Sequence, residues 1–206
     1  SNSSCPGFLL PNLVDPLHPK CIACQREHNL LFVESQVQAE VLPYMQLTDY
    51  VRAQLKQGVQ RVKPQQLAEL KEKVQTALRA VDKTFNSFSS SRLIALEQVI
   101  LVAIELQDWR LAYDGLSASI PVYDFYYQPL PFHPLLGLQL MMHAKVAWLL
   151  EYSEVALNSW QRALPILQVT HGPDHRLTKE IQEAIPPAQM EVIQKRAMGK
   201  QAKAIK

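Results

Sequence analysis

The sequence lacks the short motifs that mark common enzyme active sites. Its six glycines are all isolated among 206 residues, so no glycine-rich loop is available to hold a phosphate group. The G-x-S-x-G motif of hydrolases and the H-E-x-x-H motif of zinc peptidases are also absent, and no carboxylate pair stands out. We therefore predict no catalytic residues in this chain.

Long apolar runs are missing as well. No stretch of about eighteen apolar residues occurs, so the sequence predicts no membrane span, and the polar first residues lack a signal-peptide pattern. The hydrophobic content of 48% is ordinary for a folded soluble domain. We expect a cytoplasmic and/or nuclear protein, and the absence of an initiator Met suggests a piece of a longer chain.

Charge is nearly balanced, with a net value of +2, which by itself implies no acidic partner. The cations that stand out crowd the last dozen residues: Lys195, Arg196, Lys200, Lys203 and Lys206. Such a cluster is typical of a solvated, fraying end. Binding to nucleic acid is not expected, because it would need a broader basic face with aromatic platforms.

Cysteines are scarce, and all three lie within the first 24 residues. Cys21 and Cys24 form a C-x-x-C pair, and Cys5 precedes them in a proline-rich segment, so we predict one zinc ion bound by these thiolates. His28, or a cysteine preceding Ser1 in a longer chain, would supply the fourth ligand. Three free thiols or a redox pair are the alternatives.

The remaining chain has helical periodicity and no strand pattern longer than a few residues beyond the first thirty. Pro43 predicts a kink or break, and Pro64 the first residue of a helix. Further helices are predicted at about residues 92–107, 109–126, 135–151 and 153–168, with Ser153 as an N-cap. A helix opening at Asp174 or His175 is expected to end before Pro186-Pro187, followed by a last short helix.

A repeat with an offset of 44 residues links these helices. The aligned pairs are Leu96 with Leu140, Ala103 with Ala147, Leu106 with Leu150, Ala112 with Ala156, Ile120 with Leu164, Pro121 with Pro165, and Phe125 with Val169. Periods of this length are typical of stacked helical hairpins that hold other polypeptides. We therefore predict an all-α array, with Ala112 and Ala156 at close helix contacts.

Two further clusters have a structural and a functional interpretation. Tyr123, Tyr126 and Tyr127 are expected either to pack between hairpins or to contact a bound protein or peptide. His171 and His175 are four residues apart, as metal ligands on a helix can be, but Gly172-Pro173 separates them. We expect Asp174 or His175 to cap the next helix while His171 packs at the turn.

The order of these features resembles the C-terminal portion of SET-MYND lysine methyltransferases. The matching segment is Val169-Thr170-His171-Gly172-x-x-His175, after a cysteine segment and helical hairpins. The resemblance is strong over residues 92–184 and weaker over residues 30–91. The N-terminal segment departs from the simple C-x-C-x-x-C post-SET pattern and looks more like an additional zinc ribbon.

The resemblance implies four regions: a post-SET, zinc-ribbon-like segment (1–28), connecting helices (29–91), tetratricopeptide-like hairpins (92–187) and a basic helix or tail (188–206). It also implies a parent enzyme that uses S-adenosylmethionine, of which this chain is a non-catalytic part. Its partners would be the SET core of that parent and a protein substrate or peptide. The alternative is a stand-alone tetratricopeptide-like adaptor.

Overall fold

Seven α-helices and two strands of two residues each make up the part of the chain that the structure describes. The structure is a computed structural model that describes residues 9–10, 20–21, 26–27, 30–56, 58–130 and 132–204. Side chains are described for residues 26–27, 35, 38–56, 58–130 and 132–198. The predicted all-α class is confirmed for these residues. No helix in the described ranges is both long and apolar enough to cross a membrane.

The elements follow one another along the chain with short connections. They are β1 (Leu9–Leu10), β2 (Lys20–Cys21), α1 (Leu30–Gln54), a 3₁₀ turn (Val59–Arg61), α2 (Pro64–Thr84), α3 (Ser90–Glu105), α4 (Trp109–Tyr127), α5 (Pro134–Leu149), α6 (Ser153–Thr170) and α7 (Arg176–Ala204). The two strands are antiparallel, with Leu9 opposite Cys21. Pro64 is the first residue of α2, as predicted.

The chain divides into two compact units, Ser1–Leu111 and Ala112–Lys206. In the first unit, α3 packs against both α1 and α2. Fully buried aliphatic side chains from all three helices fill this core: Val51, Leu70, Val74, Val81, Leu96 and Val99. Burying aliphatic side chains of this size stabilises a fold by about 1.5–3 kcal/mol each. Polar pairs at the edge, such as Arg52 with Glu105 at 2.8 Å, add less because they are exposed.

The second unit is built around α6, which packs against α5 and α7. Its core holds Leu116, Leu140, Ala156, Leu167 and Ile181, all less than 2% exposed. Gly137 lies where α5 packs tightly against α6, because a Cβ added there would lie 2.8 Å from Ile166 Cγ2. Glycine at this position therefore permits the two helices to approach closely.

The predicted offset of 44 residues recurs in the backbone. Helices α3 and α5 begin at Ser90 and Pro134, and α4 and α6 begin at Trp109 and Ser153. The turn after α3 and the turn after α5 also have the same hydrogen bonds. Asp108 N donates to Ala103 O at 2.9 Å, and Tyr152 N donates to Ala147 O at 2.9 Å. These are the bonds of a Schellman motif, which ends a helix with one left-handed residue.

Two predictions about helix ends were wrong. The residue preceding α6 is Tyr152, so Ser153 is its first residue and not the N-cap. Pro186 and Pro187 lie inside α7, which runs on to Ala204 without a separate last helix. Pro43 lies inside α1, so the chain does not leave the helix there, and the alternative of a kink stays a prediction. All three prolines are exposed. Carbonyl groups that lose a helical donor beside an exposed proline can bond to water, which lowers the cost of a proline within a helix.

Candidate binding groove

A groove with a volume of about 710 Å³ opens on the second unit between α4, α6 and α7. Its side chains come from three helix faces and from His143 of α5. They are Tyr113, Ser117, Ile120, Pro121, Asp124, His143, Glu154, Val155, Leu157, Asn158, Ser159, Gln161, Arg162, Val192 and Arg196. The lining therefore mixes aliphatic, hydroxyl, amide and charged groups, as in sites that bind peptides through both backbone and side-chain contacts.

His143 lies at the inner end of the groove and is held from both sides of its ring. Nε2 is 3.1 Å from Ser117 Oγ, and Nδ1 is 2.8 Å from Ser159 Oγ. The ring also stacks on Tyr113, with centroids 5.1 Å apart and an angle of 19° between planes. Because α5 carries the imidazole, α4 contributes Ser117 and Tyr113, and α6 contributes Ser159, the ring ties three helices together.

The environment keeps this imidazole neutral. His143 is only 6% exposed, and burial, together with the positive charge of Arg162, lowers its pKa from 6.5 to about 4. A neutral ring has one N–H donor and one acceptor nitrogen, and the two serine hydroxyls can adopt the complementary roles. At neutral pH the inner end of the groove is therefore uncharged and offers hydroxyl groups.

Two ion pairs form the walls of the groove. Arg162 of α6 pairs with Asp124 of α4 at 2.6 Å, and Arg196 of α7 pairs with Glu154 of α6 at 2.7 Å. Each pair is at least 40% exposed, so it contributes little to stability. The charges of two cations and two carboxylates cancel. The walls can therefore form hydrogen bonds with a polar polypeptide without favouring a positively or a negatively charged one.

The Ser117–His143–Ser159 arrangement brings a hydroxyl next to an imidazole, as in enzymes with a serine nucleophile. Such enzymes also need donors that face the developing oxyanion. Ser117 lies in the middle of α4, where backbone N–H groups bond within the helix. The geometry supports binding better than covalent chemistry.

The three tyrosines predicted to bind a partner lie near the end of α4. Tyr123 is 2% exposed and its hydroxyl accepts a hydrogen bond from Gln139 Nε2 at 3.1 Å, so it packs inside the unit. Tyr127 stacks on His133 with ring centroids 3.6 Å apart. Tyr126 is partly buried, which raises its pKa. A partner could reach the half-buried rings of Tyr126 and Tyr127, and the prediction stands for these two alone.

The zinc ligands proposed from the sequence lie almost entirely outside the described residues. Cys5, Cys24 and His28 are not described, and for Cys21 the structure gives the backbone of β2. No group of three or more His, Cys, Asp or Glu side chains in the described part is arranged to hold a metal ion. The zinc site stays a prediction.

The histidine pair has the structural role expected for it. His175 immediately precedes α7, and its Nδ1 accepts a hydrogen bond from Leu177 N at 3.2 Å, which caps the helix. His171 Nδ1 lies 2.8 Å from Thr170 Oγ1. Gly172 has a φ of 97°, so the glycine of this turn adopts the left-handed conformation that ends α6.

Sequence reasoning missed the residues at the inner end of the groove. His143 is a single histidine within an apolar helix, and Ser117 and Ser159 lie on other helices. A buried polar side chain in an apolar helix needs a hydrogen-bond partner, which is the signal available in the sequence. Its partners could not be identified without the packing of α4 and α6 against α5.

Comparison with curated proteins finds a relative of known class. The chain is 27% identical over 195 residues to the histone-lysine N-methyltransferase ASHR1 of Arabidopsis thaliana. The match covers 93% of this chain and 37% of the relative, so the chain spans little more than a third of that protein's length. No family model matches the chain. The similarity supports a relationship with a lysine methyltransferase.

Proposed function

We propose that this chain is the non-catalytic C-terminal part of a SET-MYND-type protein lysine methyltransferase. The observation that carries the proposal is similarity to a lysine methyltransferase along 93% of the chain, combined with a pair of helices that recurs once at an offset of 44 residues. Stacked helix pairs are typical of domains that hold other polypeptides, and the recurring pairs support a tetratricopeptide-like array. The part played by this chain is to shape the substrate cleft and to bind protein substrates or partners.

The groove is the proposed place of contact with a protein segment. Asn158 and Gln161 are exposed on α6, and their amides can both donate to and accept from the backbone of an extended chain. The half-buried Val155 offers apolar surface beside them, and the buried side chains of Ile120 and Val192 also line the groove. A segment that lies along α6 can therefore satisfy its backbone groups while burying small apolar side chains.

Other features of the parent enzyme belong to the same proposal. The methyl donor would be S-adenosylmethionine, bound by the SET core and not by this chain. Cys5, Cys21, Cys24 and His28 would hold zinc in the post-SET segment, joining this chain to that core. The protein would work in the cytoplasm and/or the nucleus, where lysine-containing protein substrates are available.

A stand-alone tetratricopeptide-like adaptor is the second candidate. It is favoured by one observation: every residue that lines the groove lies between positions 113 and 196, so the groove forms within a single unit. An adaptor would bind its partner through that groove with no methyl transfer anywhere in the full-length protein.

Methyl transfer by the full-length protein separates the two candidates. The protein encoded by the complete gene, incubated with labelled S-adenosylmethionine and mixed histones, is expected to label lysine side chains. The isolated 206-residue chain is expected neither to transfer methyl groups nor to bind the methyl donor in calorimetry. An inactive, donor-free full-length protein would favour the adaptor, and methyl transfer by the isolated chain would overturn both candidates.

A further inference from the structure

One wall of the groove is formed by the second half of α7. Val192 and Arg196 are the two residues of this helix that line the groove. Both lie beyond Pro186 and Pro187, in residues 188–198, which we call the distal segment. The contacts that hold the distal segment in place therefore also hold this wall of the groove.

Apolar burial alone holds the distal segment weakly. Ala188 and Val192 are buried, whereas every residue from 193 to 198 is exposed. Helix ends that bury so little apolar surface open locally at a lower free energy than the core of a unit does. Polar contacts therefore have a larger share in holding this segment than they have in the rest of the second unit.

Two consecutive prolines weaken the connection between the distal segment and the first half of α7. Neither Pro186 nor Pro187 has an N–H group, so the carbonyls of Gln182 and Glu183 receive no helical hydrogen bond from them. Helices bend most easily at such positions. The proline pair thus provides a hinge immediately before the distal segment.

Lys195 connects the distal segment to the turn that precedes α6. Its Nζ lies 3.0 Å from Glu151 O, 2.8 Å from Ser153 Oγ and 2.7 Å from Glu191 Oε1. An ammonium group has three N–H donors, so these three acceptors can use all of them. Ser153 Oγ in turn donates a hydrogen bond to Glu191 Oε1. Lys195 is therefore the centre of a closed polar cluster between α7 and the turn.

This cluster differs from an ordinary exposed ion pair. Ser153 is 1% exposed, and Glu151 O belongs to the left-handed residue of the turn, so two of the three acceptors are held in place by the fold. Less side-chain entropy is then lost when Lys195 binds them than when two long, mobile side chains pair. Hydrogen bonds from Lys195 and Ser153 also lower the pKa of Glu191, which keeps the third acceptor ionised at neutral pH.

We propose that the distal segment of α7 is a movable wall of the groove, which turns at Pro186 and Pro187 and is held closed by Lys195. When Lys195 leaves the turn, Val192 and Arg196 move away from α6 and the groove widens, so that a protein segment can enter. When Lys195 returns, the wall closes on that segment. The use of the movement for binding rests on the proposed function, but the movement itself needs no ligand.

Hydrogen exchange of the 206-residue chain, without any ligand, tests the movement. We expect Lys195→Gln to speed amide exchange in residues 189–198 roughly tenfold, because an uncharged amide cannot replace the three bonds of the ammonium. Exchange in the middle of α5 and α6 should stay as in the parent. The matched control is Lys145→Gln, which removes the 2.6 Å ion pair with Glu180 in the first half of α7 and should leave the distal segment unchanged.

A thiol at position 192 reports whether the wall of the groove itself moves. Because Val192 is 5% exposed, a thiol reagent can reach the Val192→Cys side chain mainly when the wall is open. Adding Lys195→Gln to Val192→Cys should speed labelling at this position, located by peptide mass spectrometry, as much as it speeds amide exchange. The Val192→Cys variant alone is the baseline.

The proposal has clear contrary outcomes. Unchanged exchange or unchanged labelling in the Lys195→Gln variants would overturn it. So would faster exchange spread evenly over α5, α6 and α7, or an equal effect of Lys145→Gln on the distal segment. None of these measurements involves methyl transfer or a bound peptide, so their outcome is independent of whether the groove binds protein substrates.

Discussion

Gln107 and Glu151 occupy equivalent left-handed positions 44 residues apart, with φ values of 54° and 60°. In the part of the chain that the structure describes, no other non-glycine residue has a positive φ. Each residue ends a helix, and the residue that follows each donates a hydrogen bond to a carbonyl five positions earlier. The repeat therefore extends from side chains to the backbone conformation of the turns.

The left-handed conformation predicts an unusual response to glycine at Glu151. A side chain in this region costs about 1–2 kcal/mol, which glycine avoids. We expect Glu151→Gly to keep or raise the free energy of unfolding and Glu151→Val to lower it, because a β-branched side chain fits the left-handed region worse than glutamate does. Denaturant unfolding measures both. The control is the exposed Glu72 of α2, where glycine should cost about 1 kcal/mol. Equal losses for Glu151→Gly and Glu72→Gly would argue against this turn geometry.

Ala156 is fully buried on α6, where the repeat predicts close packing. A leucine there has no space without moving neighbouring helices, so we expect Ala156→Leu to lower the free energy of unfolding by about 1–3 kcal/mol. Thermal unfolding provides the measurement. Ala68→Leu, at an exposed position of α2, should change the melting temperature little. If both variants melt like the parent, Ala156 is not a packing position.

His143 predicts how stability depends on pH. The pKa of this imidazole is near 6.5 in the unfolded chain and about 4 in the folded chain. Stability is therefore unaffected by this group above pH 6.5, falls as the pH drops from 6.5 to 4, and levels off below that. Between pH 7 and pH 5 the loss is about 2 kcal/mol.

Unfolding by urea at several pH values tests the role of His143. His143→Gln should unfold more easily at pH 7, because one or both serine bonds weaken, but should lose less stability between pH 7 and pH 5. A parent protein whose stability does not fall in this window would show that the folded imidazole protonates as readily as the unfolded one.

Zinc content can be measured directly on the purified chain. Prepared without chelators, the protein should contain one zinc ion per chain, and replacing Cys21 and Cys24 by serine should abolish it. His171 and His175 provide the control, because His171→Ala with His175→Ala should leave the zinc content unchanged. Metal-free protein with a protease-resistant N-terminal segment would contradict the site.

The sequence predicted most of the helical framework because the signals were local or repeated. Pro64 at a helix start, Gly172 at a helix end and the 44-residue spacing each depend on chemistry close to the backbone. The continuation of α7 past Pro186 could not be predicted, because it depends on Ile181, Ala188 and Val192 being buried on both sides of the prolines.

The groove was less accessible to prediction. Its inner end depends on three side chains from three helices, whose contacts follow from packing. The role of Gly137 could not be predicted either. The equivalent residue 44 positions earlier is Leu93, so the repeat gives no reason for a glycine. The reason is the packing of α6, because a Cβ at position 137 would lie 2.8 Å from Ile166 Cγ2. Tyr123 was predicted as a possible partner contact, but the hydrogen bond with Gln139 places it inside the unit.

The most direct measurement of the proposed function compares methylation of a whole protein and of a short lysine peptide by the full-length protein. With Asn158→Ala and Gln161→Ala together in the groove, we expect kcat/KM to fall roughly tenfold on the protein substrate, mainly through KM, and to stay unchanged on the peptide. Gln168→Ala, exposed on α6 beyond the groove, should change neither value. Two outcomes would contradict a role of this groove in holding protein substrates. One is a double variant with the same kcat/KM as the parent on both substrates, and the other is a loss of kcat/KM that is equally large on both.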